Sequence, residues 1–524
     1  MVVPELRPWR AARPHVVRIT DAVRPRLARA AAAAQPRIAR LAEAGKTQVG
    51  RMPKTWQYTA GAATAGLALA AGVVTAAGPW DSSGQRTAEQ DRAAALARSG
   101  GTDHGRAPGP PARPRPAPSA ESVLTGLGGV STVKSAPDGK ALADALTPLL
   151  KDPALGPRPA AAVVDVTTGR RLYATNPDAP LTPASTTKIA TAVAALSALG
   201  ADHRLTTRAA LEPDTKEVVL VGGGDPTLTA REAIDGWASL RVLADRTAAA
   251  LAQRGVREVT LSYDTTLYAG PPMHPIGVNP NLALVSPLMA DEGRTNDSTS
   301  GPATRVPDPA ADAARRFGDL LKSRGIKATA PGPSKATTRA KTLAEVSSPP
   351  LSTLVERMLT SSDNDIAEAL ARQTAIATGD SADFAGADRA VSAQLRELGL
   401  PVAGAAFKDG SGLDRADRLT AGLLTALLTK AADPAHPELR PALTGLPVAG
   451  FTGTLSTRYT DGAAGVVRAK TGTLTGVNAL AGTTVDRDGR LLAFAFLAND
   501  TTSPDAAQKA LDKAATTLAT CGCG

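Results

Sequence analysis

Histidine, cysteine and aromatic residues are scarce in this chain, and each scarcity removes a class of chemistry. There are 5 His in 524 residues, scattered and in no recognisable catalytic context, so a histidine-based triad has no natural home. The 2 Cys, Cys521 and Cys523, both fall in the last four residues. A zinc site would need further ligands close by, and a disulfide across one glycine would be strained and would constrain little chain. That end, residues 521–524, therefore reads as a tail without catalytic duty. With 6 Phe, 5 Tyr and 4 Trp, there are no aromatic runs on which bases could stack. Acidic residues are scarce only at the start: residues 1–55 hold 12 Lys/Arg against 3 Asp/Glu, nine of the ten net positive charges. The rest is close to neutral, which argues against a nucleic-acid partner.

What is present falls into segments. Residues 1–55 are a basic N-terminal tail, with Met52 as an alternative start. From Tyr58 to Gly78 no charge occurs, a length able to span a bilayer, and Trp56 and Trp80 bracket it. Residues 56–80 read as a transmembrane signal-anchor with the N-terminus inside, or as a signal peptide cleaved near Ala76. Residues 81–139 turn polar and then Pro-rich, a spacer that cannot bury a core. Globular sequence begins at 140 and runs to 520. A helix is predicted from Lys140 to Leu150, then a hairpin from Ala160–Val166 and Arg171–Ala174. Further strands are predicted at Glu217–Val221, Val256–Leu261 and Leu282–Leu284, and a helix at Ala310–Arg324. The glycines at 222–224 lack the spacing of a phosphate loop and read as a structural turn.

Three short motifs carry chemistry. Leu181-Thr-Pro-Ala-Ser-Thr-Thr-Lys-Ile-Ala190 opens an apolar helix, with Pro183 in its first turn. Ser185 and Lys188 lie three apart on one face, where an amine can take a proton from a hydroxyl. Alone this is weak, since Ser131 and Lys134 repeat the spacing in the linker. Ser362-Asp-Asn364 falls between helical stretches Leu351–Leu359 and Asp365–Thr378, and alone reads as an N-cap cluster. Lys470-Thr-Gly472, followed by Thr473, comes at the end of a predicted strand, Gly465–Ala469. Two alternating strands, Asn478–Val485 and Arg490–Leu497, follow through the turn Asp486–Gly489.

Ser-x-x-Lys, Ser-Asp-Asn and Lys-Thr-Gly in this order are the signature set of penicillin-recognising serine enzymes. Together with Val221–Leu228, Ser348–Leu351, Asp409-Gly-Ser-Gly-Leu413 and Arg468–Leu474, they resemble the class C low-molecular-mass penicillin-binding proteins. These are the D-alanyl-D-alanine carboxypeptidase/endopeptidase family, and the resemblance covers about residues 140–518. It implies an α/β (α+β) fold: a serine transpeptidase-like core with an antiparallel sheet flanked by helices. It also implies an accessory domain inserted between the first two motifs, here about 203–345, where 177 positions separate Ser185 from Ser362.

The resemblance further implies a serine D-Ala-D-Ala carboxypeptidase or DD-endopeptidase acting on peptidoglycan stem peptides, with an extracytoplasmic catalytic domain. β-Lactam antibiotics become expected ligands; no metal or cofactor is called for. Ser185 is the expected nucleophile, Lys188 its base and Ser362 a proton relay. Asn364, Lys470, Thr471, Gly472 and Thr473 are expected to bind substrate, and the N–H groups of Ser185 and Thr473 to form the oxyanion hole. A β-lactamase shares the three motifs but must deacylate efficiently. A non-catalytic wall-binding or antibiotic-sensing protein would keep the pocket without turnover.

Overall fold

The computed structural model describes residues 139–232, 236–459 and 462–521. The basic tail, the apolar stretch 56–80, all of the linker but its last residue, the Ser131/Lys134 pair and residues 522–524 lie outside the described residues. Among the described residues no helix is long and apolar enough to cross a membrane.

The described residues all belong to one compact unit. It opens with α1 (Gly139–Leu150), followed by the hairpin β1 (Ala160–Asp165) and β2 (Arg171–Thr175), and then α2 (Thr187–Leu199). A stretch with its own sheet follows: β3 (Thr206–Leu211), β4 (Glu217–Val221), α3 (Leu240–Gln253), β5 (Glu258–Asp264) and α4 (Pro309–Ser323). It continues through the short β6 (Lys327–Ala328) and β7 (Gly332–Pro333) to β8 (Lys341–Ser347). The chain then returns through α5 (Leu351–Ser361), α6 (Asn364–Thr378), α7 (Phe384–Glu397), α8 (Ala421–Ala432) and α9 (Pro441–Thr444). The strands β9 (Arg468–Leu474), β10 (Val477–Val485) and β11 (Leu491–Asn499), and then α10 (Pro504–Thr520), complete it.

The first sheet, ordered β2-β1-β11-β10-β9, is antiparallel throughout and buried on both faces. Alternation along β11 divides its side chains: Ala493, Ala495 and Leu497 face α2, α5, α6 and α8. Leu492, Phe494, Phe496 and Ala498 face α1 and α10. The alternation expected of β10 and β11 is therefore absent from their burial, since nearly every residue of both strands is covered. α2 is buried from Thr187 to Leu196, so its sequence shows almost no polar face. α10 starts at a hydrogen-bonding Ser503 cap with Pro504 behind it. The second sheet, β6-β5-β4-β3-β8, is mixed: β3 pairs antiparallel with β4 and β8, while β5 runs parallel to β4 and β6. Leu220 and Leu261 of that sheet pack against Leu243, Leu251, Phe317 and Leu321 of α3 and α4.

Several local expectations need correction. Lys470-Thr-Gly472 does not follow a strand; it lies inside β9, because Lys470 to Thr473 pair residue by residue with Ala481 to Asn478 of β10. Leu282–Leu284 is not a strand. Leu282 makes one isolated bridge to Asn279, and the Ala283 N–H turns away to the Asp365 carboxylate. Pro183 precedes a 3-10 turn, Ala184–Thr186, and the α-helix starts only at Thr187. Cys521, which follows α10, is disulfide-bonded. Gly222–Gly224, by contrast, is the structural turn expected: a Cβ on Gly223 would lie 2.0 Å from the Thr206 carbonyl oxygen.

Candidate active site

Ser185 sits at the middle of the 3-10 turn, after Ala184 at φ +48°, a conformation that non-glycine residues adopt at some cost. Neighbouring backbone holds this turn from two sides. A Cβ on Gly412 would lie 2.0 Å from the Ala184 carbonyl oxygen, and one on Gly472 would lie 2.6 Å from that of Pro183. Glycine at both positions lets the 409–414 loop and β9 close on the turn.

Lys188, in the first turn of α2, is fully buried. Its Nζ lies 3.0 Å from Ser185 Oγ, 2.7 Å from Asn364 Oδ1 and 2.7 Å from the Ser411 carbonyl oxygen. Burial brings its pKa down to about 8, against the pull of Asp409, Glu368, Asp363 and Asp417.

Ser362 ends α5 in the left-handed region, φ +56°, and Asp363 caps α6 by accepting the Ile366 N–H. The cap reading of this motif is therefore true of Asp363, while its neighbours face elsewhere. Asn364 donates from Nδ2 to the Asn281 carbonyl and offers Oδ1 to Lys188. The buried Lys470 donates to Ser362 Oγ and to the Thr471 carbonyl, each at 2.9 Å. Burial, and then the nearby Lys188, push its pKa well below the ordinary lysine value.

Ser185, Ser362, Asn364 and Thr473 line one cleft of about 250 Å³, and Arg294 and Arg305 also line it. The Thr471 hydroxyl does not line it, but is bonded to Thr454 Oγ1 at 2.9 Å. Sequence reasoning missed the Ser411 and Asn281 carbonyls and the two arginines. Backbone acceptors leave no residue-type signal, and both arginines are held by carboxylates, Arg294 by Glu292 and Arg305 by Asp365.

A serine hydroxyl beside a buried amine, with a second buried lysine on the adjoining strand of a helix-flanked antiparallel sheet, defines a penicillin-recognising serine hydrolase. The sequence profile of the D-Ala-D-Ala carboxypeptidase 3 (S13) family matches residues 142–304 and 293–519. The chain belongs to that family, and is thereby a serine peptidase of the D-Ala-D-Ala carboxypeptidase type. It is 38% identical over 432 residues to a carboxypeptidase of Mycobacterium tuberculosis, covering 80% of this chain and 91% of that one. A carboxypeptidase of Mycolicibacterium smegmatis is 39% identical over 427 residues, covering 78% and 90%. In fold the chain is similar to penicillin-binding protein 4 of Haemophilus influenzae, with a TM-score of 0.59 at 21% identity, over 72% of this chain and 98% of that one.

Proposed function

We propose that this peptidase cleaves the D-Ala-D-Ala bond of peptidoglycan stem peptides, as carboxypeptidase or endopeptidase, through an acyl-enzyme on Ser185. The surroundings of Lys188 carry the reading. An uncharged amine has two N–H groups and one lone pair. The Asn364 and Ser411 oxygens take the two N–H groups, which leaves the lone pair for the Ser185 hydroxyl. The lysine then receives the hydroxyl proton as Oγ attacks the carbonyl carbon. The N–H groups of Ser185 and Thr473 hold the resulting oxyanion, an arrangement worth about 10²–10³ in rate per donor in other enzymes. Collapse breaks the C–N bond, and Ser362, bonded to Lys470, passes a proton to the departing amine. Water then hydrolyses the ester. The substrate carboxylate docks by the Thr473 hydroxyl on β9, and its negative charge favours the protonated form of the buried Lys470 amine.

A β-lactam presents a strained amide and a carboxylate to the same groups. Once opened, its amine stays tethered in the site and obstructs water, so the acyl-enzyme persists. A crystal structure of the Haemophilus protein has been determined with a β-lactam. Residues 56–80 would hold the catalytic unit outside the membrane, within reach of the wall. The test is fluorescent penicillin on the full chain, with mass spectrometry of the labelled peptide. A stable adduct on Ser185, lost together with peptide release in Ser185→Ala, is expected. An adduct on Ser131, or label shed within seconds, would overturn the reading.

A further inference from the structure

One loop of the inserted stretch secures both oxygens that hold Lys188. This loop, between β5 and Asp291, meets the catalytic elements at three places. The Asn281 carbonyl accepts from Asn364 at 2.9 Å, and the Ala283 N–H donates to Asp365 at 3.0 Å. His274, only 2% exposed, lies with Nε2 2.9 Å from Asp409 Oδ2. The Ile276 N–H points at His274 Nδ1 from 3.2 Å, so the ring proton sits on Nε2 and is aimed at Asp409. Asp409 also accepts from the N–H groups of Ser411, Gly412 and Asp414, so the 409–414 segment winds around one carboxylate. The carbonyl that this winding presents is that of Ser411, on Lys188.

The same cluster brings His274, Glu368 and Asp409 close enough to hold a metal ion, but donors already occupy its oxygens. Glu368 accepts from the Gly410 N–H and from Arg372, and Asp409 from its own loop and the histidine. The cluster is a hydrogen-bonded joint.

We propose that His274 is a positioning residue for acylation: its bond to Asp409 fixes the Ser411 carbonyl on Lys188 and keeps the lysine lone pair directed at Ser185. This rests on Lys188 being the base. His274 faces Asp409, Glu368 and Asp414, with the Phe384 ring nearly perpendicular at 5.2 Å between centroids and the Arg372 guanidinium 4.1 Å from the centre of that ring. Burial resists charge on the imidazole, while Asp409 and the other carboxylates favour it and hold its pKa above the ordinary value. The Nε2–H bond to Asp409 persists in either charge state. Removing it takes a donor from the carboxylate that most strongly opposes deprotonation of Lys188. More of that charge then reaches the amine, and activity needs a higher pH.

The experiment measures acylation of the full chain by a fluorescent penicillin from pH 6 to 10, in wild type, His274→Ala, His274→Gln and Lys188→Ala. His274→Ala should acylate about 10- to 100-fold more slowly at pH 7 with unchanged initial drug affinity, and its rising limb should move to higher pH. His274→Gln, which keeps an N–H donor, should recover most of the rate. A wild-type rate and limb in the alanine variant, or a glutamine variant no better than alanine, would refute the assignment. Should the alanine variant not fold, ¹⁵N-histidine NMR of the wild type decides. A slowly exchanging Nε2–H across pH 6–9 supports the bond, and a proton on Nδ1 alone refutes it. Undiminished acylation in Lys188→Ala would instead show that the base is misassigned, and the proposal would fall with it.

Discussion

The pH dependence of acylation is the sharpest consequence of a buried Lys188. Its pKa of about 8 means that roughly a tenth of the free enzyme holds the neutral amine at pH 7, about half at pH 8 and about nine-tenths at pH 9. The acylation rate at low β-lactam concentration should thus rise about fivefold from pH 7 to 8 and less than twofold from 8 to 9. The sign follows from the lysine acting in its neutral form. The same shift bears on stability. Between the folded value of about 8 and the unfolded value of 10.5, the unfolded chain binds more protons, so this group's contribution becomes more favourable as pH rises through that window. Below it the burial costs on the order of 3 kcal/mol. Lys188→Arg places a permanently charged guanidinium at the site and should reduce acylation by about 10²-fold or more at every pH. Stopped-flow acylation over pH 6–10 is the assay. A flat profile between pH 7 and 9, or the same limb in Lys188→Arg, would sink the reasoning.

Two further outcomes are expected. Gly472→Ala places a Cβ 2.6 Å from the Pro183 carbonyl oxygen and 3.2 Å from Ala184 Cβ, so β9 must move off the turn that carries Ser185. Acylation should fall by about tenfold or more with only a small drop in melting temperature, and an unchanged acylation rate would refute the close approach. Protease added to intact protoplasts should digest the catalytic unit, and complete protection in sealed cells would overturn the outward placement of everything after residue 80.

The chemistry was legible because it depends on residue types at fixed short spacings. Ser185 and Lys188 meet whether the turn between them is α or 3-10, so the wrong helix start did not matter. The strand limits around Lys470 were misplaced for the opposite reason. Lys470-Thr-Gly-Thr473 has no strand-like alternation of its own, and only the register with β10 makes it extended. Leu282–Leu284 failed likewise: three apolar residues looked like a strand, yet Leu282 and Ala283 are buried in a loop whose N–H groups serve tertiary partners. Nothing in the sequence marks the Ser411 carbonyl, because every residue has one. His274 was dismissed along with the other scattered histidines. Its partner lies 135 positions away, a distance that no pattern along the chain can bridge.

The seat of Ser185 bears on how such an enzyme changes its diet. The turn carrying Ser185 is wedged between two glycines with no room for even a methyl group, so drift in that wall is penalised at once. Another part of the cleft lining, with Arg294, Ser300 and Arg305, belongs to a stretch that has its own sheet and its own core. New substrates are therefore most readily learned there, by remodelling a surface that can alter while the reacting atoms stay where they are.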